Sequence, residues 1–244
     1  MIDNLVYDVG MNNGDDTAYY LWKGYRVVAV EANPDLVRAA RERFSPQIGA
    51  GRLAVLNVGI APHAGTATFW INDSLPQWSS FVKEDACRDG VSCRSLEVPC
   101  VRFRDLLKEH GVPYYLKIDI ERHERYCLED LDPQDLPAYI SVEAVSLSYL
   151  VLLANLGYKA FKMVSQHQHN RRSTLIRVRR RLAKSSLGRL LKIRSPWVFP
   201  FGSSGPFGEE APGDWLTFRA VAALWEAQEK NSYGPWADFH AKRC

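Results

Sequence analysis

The chain has 244 residues, 46% hydrophobic and 24% charged, a balance that excludes whole-chain disorder, collagen and coiled coil. A chain this long buries roughly 70–75% of its unfolded surface and needs neither disulfides nor a structural metal to fold. The net charge of +3 conceals an asymmetry: residues 171–194 hold ten Lys or Arg and no acid, leaving 21 basic against 28 acidic residues elsewhere. No apolar run reaches the 18 or so residues of a membrane span; Ala144–Leu156 comes closest and carries two serines. The N-terminus lacks the basic flank and apolar core of a leader, so no targeting segment is expected. Five cysteines, at 87, 93, 100, 127 and 244, form no CxxC pair. They are expected as reduced thiols of a cytoplasmic protein, with neither a disulfide framework nor a zinc site.

In chain order, strands and helices alternate. Leu5–Val9 reads as a strand and Asp15–Lys23 as a helix ended by Gly24. Tyr25–Val30 has the continuous apolar run of a strand buried on both faces. Asn33 and Pro34 open a helix running to about Phe44, as N-cap and first-turn proline. Arg52–Asn57 is a third strand, and Thr66–Ile71 with Leu96–Val101 form a small antiparallel excursion. A short helix over Arg104–His110 precedes a fourth strand, Pro113–Asp119; a helix near Glu124–Leu131 precedes a fifth, Ala138–Glu143. Ser146–Leu156 is a helix closed by Gly157, and Tyr158–Val164 a sixth strand. Phe199–Gly213 is a Gly/Pro/Ser loop, Asp214 to about Glu229 a last helix, and a seventh strand is placed within Trp197–Phe201. Repeated βα units imply an α/β fold, a doubly wound and mostly parallel sheet in one domain spanning 1–244, with 171–194 as a basic helical insertion. Ligands of such sheets bind at the carboxyl ends of the strands, where the strand order reverses.

The basic segment has two readings. It is a solvated helical excursion whose arginine stems cover apolar surface, or a contact surface for an anionic membrane or an anionic substrate. No aromatic residue interleaves the run, which argues against nucleic acid as a partner.

The chemistry concentrates at the strand ends. The first strand leads into Asp8-Val-Gly-Met-Asn-Asn-Gly-Asp-Asp-Thr17, where Gly10 and Gly14 permit a tight turn and close approach of a ligand. Glu31 closes the second strand, 21 residues after Gly10, where an acid accepts hydrogen bonds from ribose hydroxyls. The competing reading of Glu31 is a surface helix cap. A dinucleotide would set its pyrophosphate against the first helix, yet that end carries Asp15 and Asp16, with Asp8 just before the loop. Acids there suit the helix dipole, but they also repel phosphate and suit a sulfonium and an ammonium. No Walker lysine is present. S-adenosylmethionine fits this charge pattern best. An NAD-dependent oxidoreductase on a similar fold and a non-catalytic, membrane-associated binding module remain the alternatives.

With these residues in view the chain resembles the FkbM family of class I S-adenosylmethionine-dependent methyltransferases. The resemblance rests on Asp8–Thr17, Val30-Glu-Ala-Asn-Pro34, Asn57-Val-Gly-Ile-Ala61, Ser79-Ser80 and Leu116-Lys-Ile-Asp-Ile-Glu-Arg-His-Glu124, and spans residues 5 to about 165. The chain departs from it at Arg122 and His123, where the family usually has Gly and a small residue. The resemblance implies a Rossmann-like, seven-stranded sheet, S-adenosylmethionine as donor and a hydroxyl of a natural product or glycan as acceptor. It places Asp8, Gly10, Asn12, Gly14 and Thr17 at the methionine end, Glu31 at the ribose, Ala32 and Asn33 beside the adenosine, Asn57 and Val58 at the adenine, and Asp119 beside the transferable methyl.

Transfer to a hydroxyl benefits from a general base. Asp119, Glu121, His123 and Glu124, just past the fourth strand, are the candidates, with Glu143 ending the fifth. Asp119 with Glu143 could instead hold a divalent cation that polarises the hydroxyl, but no third ligand is fixed by spacing and no metal is assigned. His123 reads equally as a helix-start residue. His167 and His169 read as exposed loop residues, His240 as uninformative, and Trp70, Trp78 and Trp197 as packing residues or walls for a sugar ring. The loop Ser203–Gly208 is a candidate lid by analogy.

Overall fold

A computed structural model describes residues 1–166, 196–229 and 236–243. The basic segment 171–194, His167 and His169 lie outside them. Seven strands form one sheet: β1 (Ile2–Val9), β2 (Arg26–Val30), β3 (Leu53–Leu56), β7 (Pro113–Ile118), β8 (Tyr139–Glu143), β9 (Ala160–Ser165) and β10 (Ala237–Lys242). Their order is β3-β2-β1-β7-β8-β10-β9. β10 runs antiparallel to both its neighbours, and the other ladders are parallel. A smaller sheet, β4 (Gly59–Ile60), β6 (Cys93–Val101) and β5 (Gly65–Asn72), follows β3 in the chain and is the expected antiparallel excursion, extended by β4.

Side-chain alternation along β1 divides the core. Leu5, Tyr7 and Val9 face one layer with Leu116, Ile118, Ile140 and Val142. Helices α5 (Phe103–His110), α6 (Glu124–Glu129), α7 (Leu147–Leu156) and α8 (Phe218–Glu229) cover that face through Phe103, Leu128, Leu150 and Val221. Val6 faces the other layer with Val27, Ala29 and Tyr115. There α1 (Asp15–Lys23), α2 (Pro34–Arg43) and the one-turn α3 (Ser45–Gly49) provide cover. Burial on both faces is what the unbroken apolar runs require. A further short helix, α4 (Lys83–Ala86), packs against β5.

Helix boundaries follow the local chemistry. Gly24 and Gly157 close α1 and α7 in the left-handed region. Asn33 accepts a hydrogen bond from the Asp35 amide, with Pro34 in the first turn of α2.

Three expectations are corrected. The seventh strand is β10, not Trp197–Phe201; Trp197 packs with Tyr19 and Trp22 instead. The sequence Ala-Asp-Phe-His at 237–240 hid it, because a strand inserted antiparallel between β8 and β9 carries Asp238 and His240 at buried positions, breaking the apolar run. The last helix begins at Phe218 rather than Asp214, because Leu216 bridges to Phe161 at the edge strand β9. Cys87 and Cys93 are joined in a disulfide, contrary to the all-thiol expectation. Such bonds persist chiefly in oxidising surroundings, so sulfur chemistry no longer argues for a reducing compartment. Cys100 and Cys127 are free and buried. Among the described residues no helix is long and apolar enough to cross a membrane.

Candidate active site

The strand order reverses between β1 and β7, and a cavity of about 550 Å³ opens over their carboxyl ends. The Asp119 amide donates to the Val9 carbonyl at 2.9 Å, so the two strand ends leave the sheet side by side. Gly10 sits in this crevice at φ +84°, and a Cβ there would lie 1.7 Å from the Asp119 carbonyl oxygen. Only glycine fits. Gly14, at φ +79°, starts α1 and packs against Phe44, behind the cavity rather than in it.

Lys117 organises the floor. It lies directly beside Asp8 in the parallel register of β1 and β7. Its ammonium donates to the Gly10 carbonyl at 2.9 Å and pairs with Asp8 at 3.2 Å, Asp119 at 3.6 Å and Asp16 at 3.7 Å. Burial works to lower its pKa, but Asp8, Asp119 and Asp16 together hold it well above the ordinary lysine value. Thr17 donates to Asp8 at 2.6 Å, and the Ser204 amide donates to Asp16 at 3.0 Å. Asp15 pairs with Arg43 at 3.0 Å.

Of the three acids expected around the first loop, Asp15 and Asp16 line the cavity. Asp8 is fully buried, does not line the cavity and is neutralised by Lys117. The carboxylates that stand along the cavity beyond the first helix are Glu31, Asp119, Glu121 and Glu143. Lys117 carries a role that the sequence reading left unassigned. Its signal was there: a lysine inside an apolar strand buried on both faces must find partners.

Glu31 is buried, not a surface cap. One carboxylate oxygen accepts from the Asn12 amide and the other from the Asn33 amide, each at 2.8 Å. Burial nevertheless raises its pKa. Asn12 reaches this position with φ +51°, a left-handed conformation that asparagine tolerates better than most residues. Two amides fix the carboxylate and leave a further lone pair on each oxygen for a diol. Gly10, Asn12, Glu31, Ala32, Val58 and Asp119 line the cavity. Asp8, Gly14, Thr17, Asn33 and Asn57 do not. Asn33 caps α2, and Asn57 donates to the Glu31 and Ala32 carbonyls, both at 3.0 Å, holding the end of β2.

Asp119, Glu121, His123 and Glu143 all line the same cavity. Burial and the Asp119 charge push Glu121 up to about 7, and the same two causes raise Glu143 further. Asp238, opposite Glu143 in the β8–β10 register, rises to about 7 through burial and Asp119. Glu124 lies outside the cavity: its carboxylate accepts from the Ile120 amide at 3.0 Å and from Tyr149 at 3.0 Å. His123 stands at the N-cap of α6, as its helix-start reading expects, and also lines the cavity. Its ring stacks on Phe81 with centroids 5.0 Å apart, and Nδ1 lies 3.2 Å from the Ile60 carbonyl. A carbonyl only accepts, so Nδ1 carries the proton and Nε2 is the basic nitrogen. Burial lowers the His123 pKa and favours this neutral ring.

Around the motif, Glu121 and Arg122 adopt φ +50° and +75°. Consecutive left-handed residues re-aim the chain between β7 and α6, which explains why glycine suits position 122. Of the candidate lid Ser203–Gly208, only Ser203 borders the cavity. Phe207 stacks on Tyr115 with centroids 3.9 Å apart and, with Tyr139, covers the sheet; Phe201 and Gly202, just ahead of Ser203, border the cavity as well. Trp78 lines the cavity, whereas Trp70 and Trp197 do not. Phe81, Arg88, Gln166 and Trp236 also line it and escaped the sequence reading, because they come from loops and strand ends with no motif spacing. Among the described residues no three His, Cys, Asp or Glu side chains stand together as metal ligands.

A glycine turn at a topological switch point, a pinned acid ending the second strand and a crevice past the fourth-strand motif together define a Rossmann-like, nucleoside-type binding site. A family model described as the methyltransferase FkbM domain matches residues 8–159, and the chain belongs to that family. No curated protein sequence matches it significantly. Among solved structures it is similar to the methyltransferase FkbM from Methylobacillus flagellatus KT, at 16% identity and TM-score 0.45, over 66% of this chain and 40% of that protein. A putative sarcosine dimethylglycine methyltransferase from Galdieria sulphuraria aligns at 9% identity and TM-score 0.40, over 98% of this chain and 77% of that one. Phosphoethanolamine N-methyltransferase 2 from Haemonchus contortus, in complex with S-adenosyl-L-methionine, aligns at 11% identity and TM-score 0.40, over 99% of this chain and 49% of that one.

Proposed function

We propose that this chain transfers a methyl group from S-adenosylmethionine to a hydroxyl oxygen of a sugar, glycan or natural-product acceptor. The observation that carries the reading is one cavity joining the pinned Glu31 to the neutral His123. The residues present fit the donor: Glu31 has lone pairs for a ribose diol, Gly10 admits close approach, and the acids beside Asp119 suit a cation. When bound, the donor supplies a methyl group activated on a sulfonium. Ala32 and Val58 would flank the adenosine, while Gly10, Asn12 and Asp119 would hold the methionine end. Holding the acceptor oxygen in line accounts for several kcal/mol of barrier, up to about 7–11 in the best cases. His123 Nε2 is the base that takes the hydroxyl proton. Glu121, raised to about 7, stands in the same wall and is the alternative base.

The test follows a radiolabelled methyl from S-adenosylmethionine into hydroxylated acceptors, with amines and thiols as the contrast. An ether product is expected, with His123→Ala slowing transfer by ~10²–10⁴-fold. Methylation confined to amines would contradict the O-transfer reading; an unimpaired His123→Ala enzyme would refute His123 as the base and leave that role to Glu121, which Glu121→Gln then tests.

For location we propose peripheral attachment to an anionic membrane surface through residues 171–194, which carry ten cations and no acid. Co-sedimentation with anionic vesicles, weakened by salt and lost on deleting 171–194, is expected. Absent or salt-insensitive binding would remove the proposal.

A further inference from the structure

Among the described residues two cationic side chains line the cavity, Lys117 and Arg88. Lys117 is consumed by Asp8, Asp16 and Asp119. Arg88, among the described residues, forms no ion pair. Its guanidinium lies over the ring of Trp78, 3.6 Å from the centroid. A guanidinium that stacks by its face keeps the N–H donors at its edge available for a planar or tetrahedral anion.

The rim that carries this pair is held in place from below. Asn72, fully buried at the end of β5, accepts from the Ser74 and Leu75 amides at 3.0 and 2.8 Å, which starts the turn leading to Trp78. Its side-chain amide donates to the Ala86 carbonyl at 2.8 Å, two residues before Arg88. Its backbone amide donates to Ser79 Oγ at 3.2 Å. Cys93 lies opposite Asn72 in the β5–β6 register and is disulfide-linked to Cys87, the neighbour of Arg88. One buried asparagine and one covalent bond thus anchor both halves of the stacked pair, so little ordering remains to be done on binding. The Arg88 charge also reaches the Glu121 carboxyl, which places the rim next to the segment carrying Asp119 and His123.

We propose that Arg88, stacked on Trp78, recognises an anionic group on the methyl acceptor, so that the acceptor is a hydroxylated carboxylate or phosphate, such as an acidic sugar. The inference rests on the methyl-transfer reading and narrows its acceptor. Asp119, and Glu121 in the fraction that is ionised, disfavour a second negative charge in the inner cavity, so the charge is held at the rim and the neutral hydroxyl is the end that enters. One Arg thereby sets both affinity and orientation.

The experiment uses the full chain saturated with S-adenosylhomocysteine, whose own binding is measured first by calorimetry. D-glucuronate, D-glucose 6-phosphate and D-glucose are then titrated, with tryptophan fluorescence as the readout, into wild type and Arg88→Gln. At least one anionic sugar should bind tighter than glucose by about ten- to a hundredfold, the worth of charge-assisted hydrogen bonding, and that preference should vanish in Arg88→Gln. The tighter of the two anions distinguishes a carboxylate from a phosphate acceptor. Affinity for S-adenosylhomocysteine in the variant reports separately that its fold and donor pocket are intact. Equal binding of all three sugars, a preference that survives Arg88→Gln, or no sugar binding up to about 100 mM with the donor product bound would each overturn the inference. A failure of S-adenosylhomocysteine itself to bind would instead strike the methyl-transfer reading, and the acceptor inference would fall with it.

Discussion

Replacing Lys117 by Met would remove the ammonium that faces Asp8, Asp16 and Asp119 while keeping an apolar stem of similar length. The Lys117 side chain is 5% exposed and that of Asp8 is 0% exposed, so solvent cannot replace the lost partner. Removing one member of a buried pair costs about 3–5 kcal/mol, because the other charge is left uncompensated. Asp119 is partly exposed and adds little to that figure. At this chain length each kcal/mol lowers Tm by about 2–4 °C, so a fall of roughly 6–20 °C is expected. A thermal melt measures the shift in Tm, and urea unfolding followed by tryptophan fluorescence measures the free-energy loss, with an unchanged m-value confirming comparable surface exposure. Adding Asp8→Asn to Lys117→Met should restore part of the loss by removing the orphaned charge. The deficit should also shrink at lower pH, because the unpaired acids then take up protons in the folded state. A Lys117→Met protein within about 1 kcal/mol of wild type, at every pH, would refute the assignment of Lys117 as the keystone of the site.

Two other perturbations probe the same region. Arg122→Gly should leave stability within about 1 kcal/mol of wild type, since the about 1–2 kcal/mol of strain relieved at φ +75° is offset by loss of the pair to the mostly buried Asp85 carboxylate and by glycine's larger unfolded-state entropy; a loss above about 2 kcal/mol in urea unfolding would contradict this. Glu121 and Asp238, both raised to about 7, hold protons in the folded state that ordinary carboxylates near 4 have lost when unfolded. Folded protein then binds more protons than unfolded between those values, so stability should fall as pH rises from about 4.5 to 7 as far as these groups are concerned. The comparison of wild type with Glu121→Gln across that range isolates the contribution; parallel curves would count against it.

Much of the scaffold could be read from residue patterns. Gly24, Gly157 and Asn33-Pro34 mark helix boundaries by backbone chemistry, and α1, α2 and α7 start and stop within a residue of the expected positions. The walls of the crevice were legible where a motif fixes a strand end, as at Gly10, Glu31 and Asp119. β10 was not legible, because its apolar positions are interrupted by Asp238 and His240. The disulfide was not legible either: a separation of six residues carries no signature until β5 and β6 pair and bring Cys93 back beside the α4 end. Charge counting along the first helix identified a cation-friendly region but named Asp8, whose charge is spent inside the protein on a lysine from a distant strand. Pairing across 109 residues cannot be seen in a linear pattern.

The central claim is that Glu31, held by two amides, grips the ribose of an adenosine carrying a sulfonium rather than a pyrophosphate. Calorimetric titration of S-adenosylhomocysteine into wild type and Glu31→Ala, with NADH titrated in parallel, tests it most directly. Binding of the thioether well below millimolar, weakened by about ten- to a hundredfold in Glu31→Ala, with NADH failing to bind, is the expected result. Tight NADH binding, or a thioether affinity indifferent to residue 31, would contradict the account.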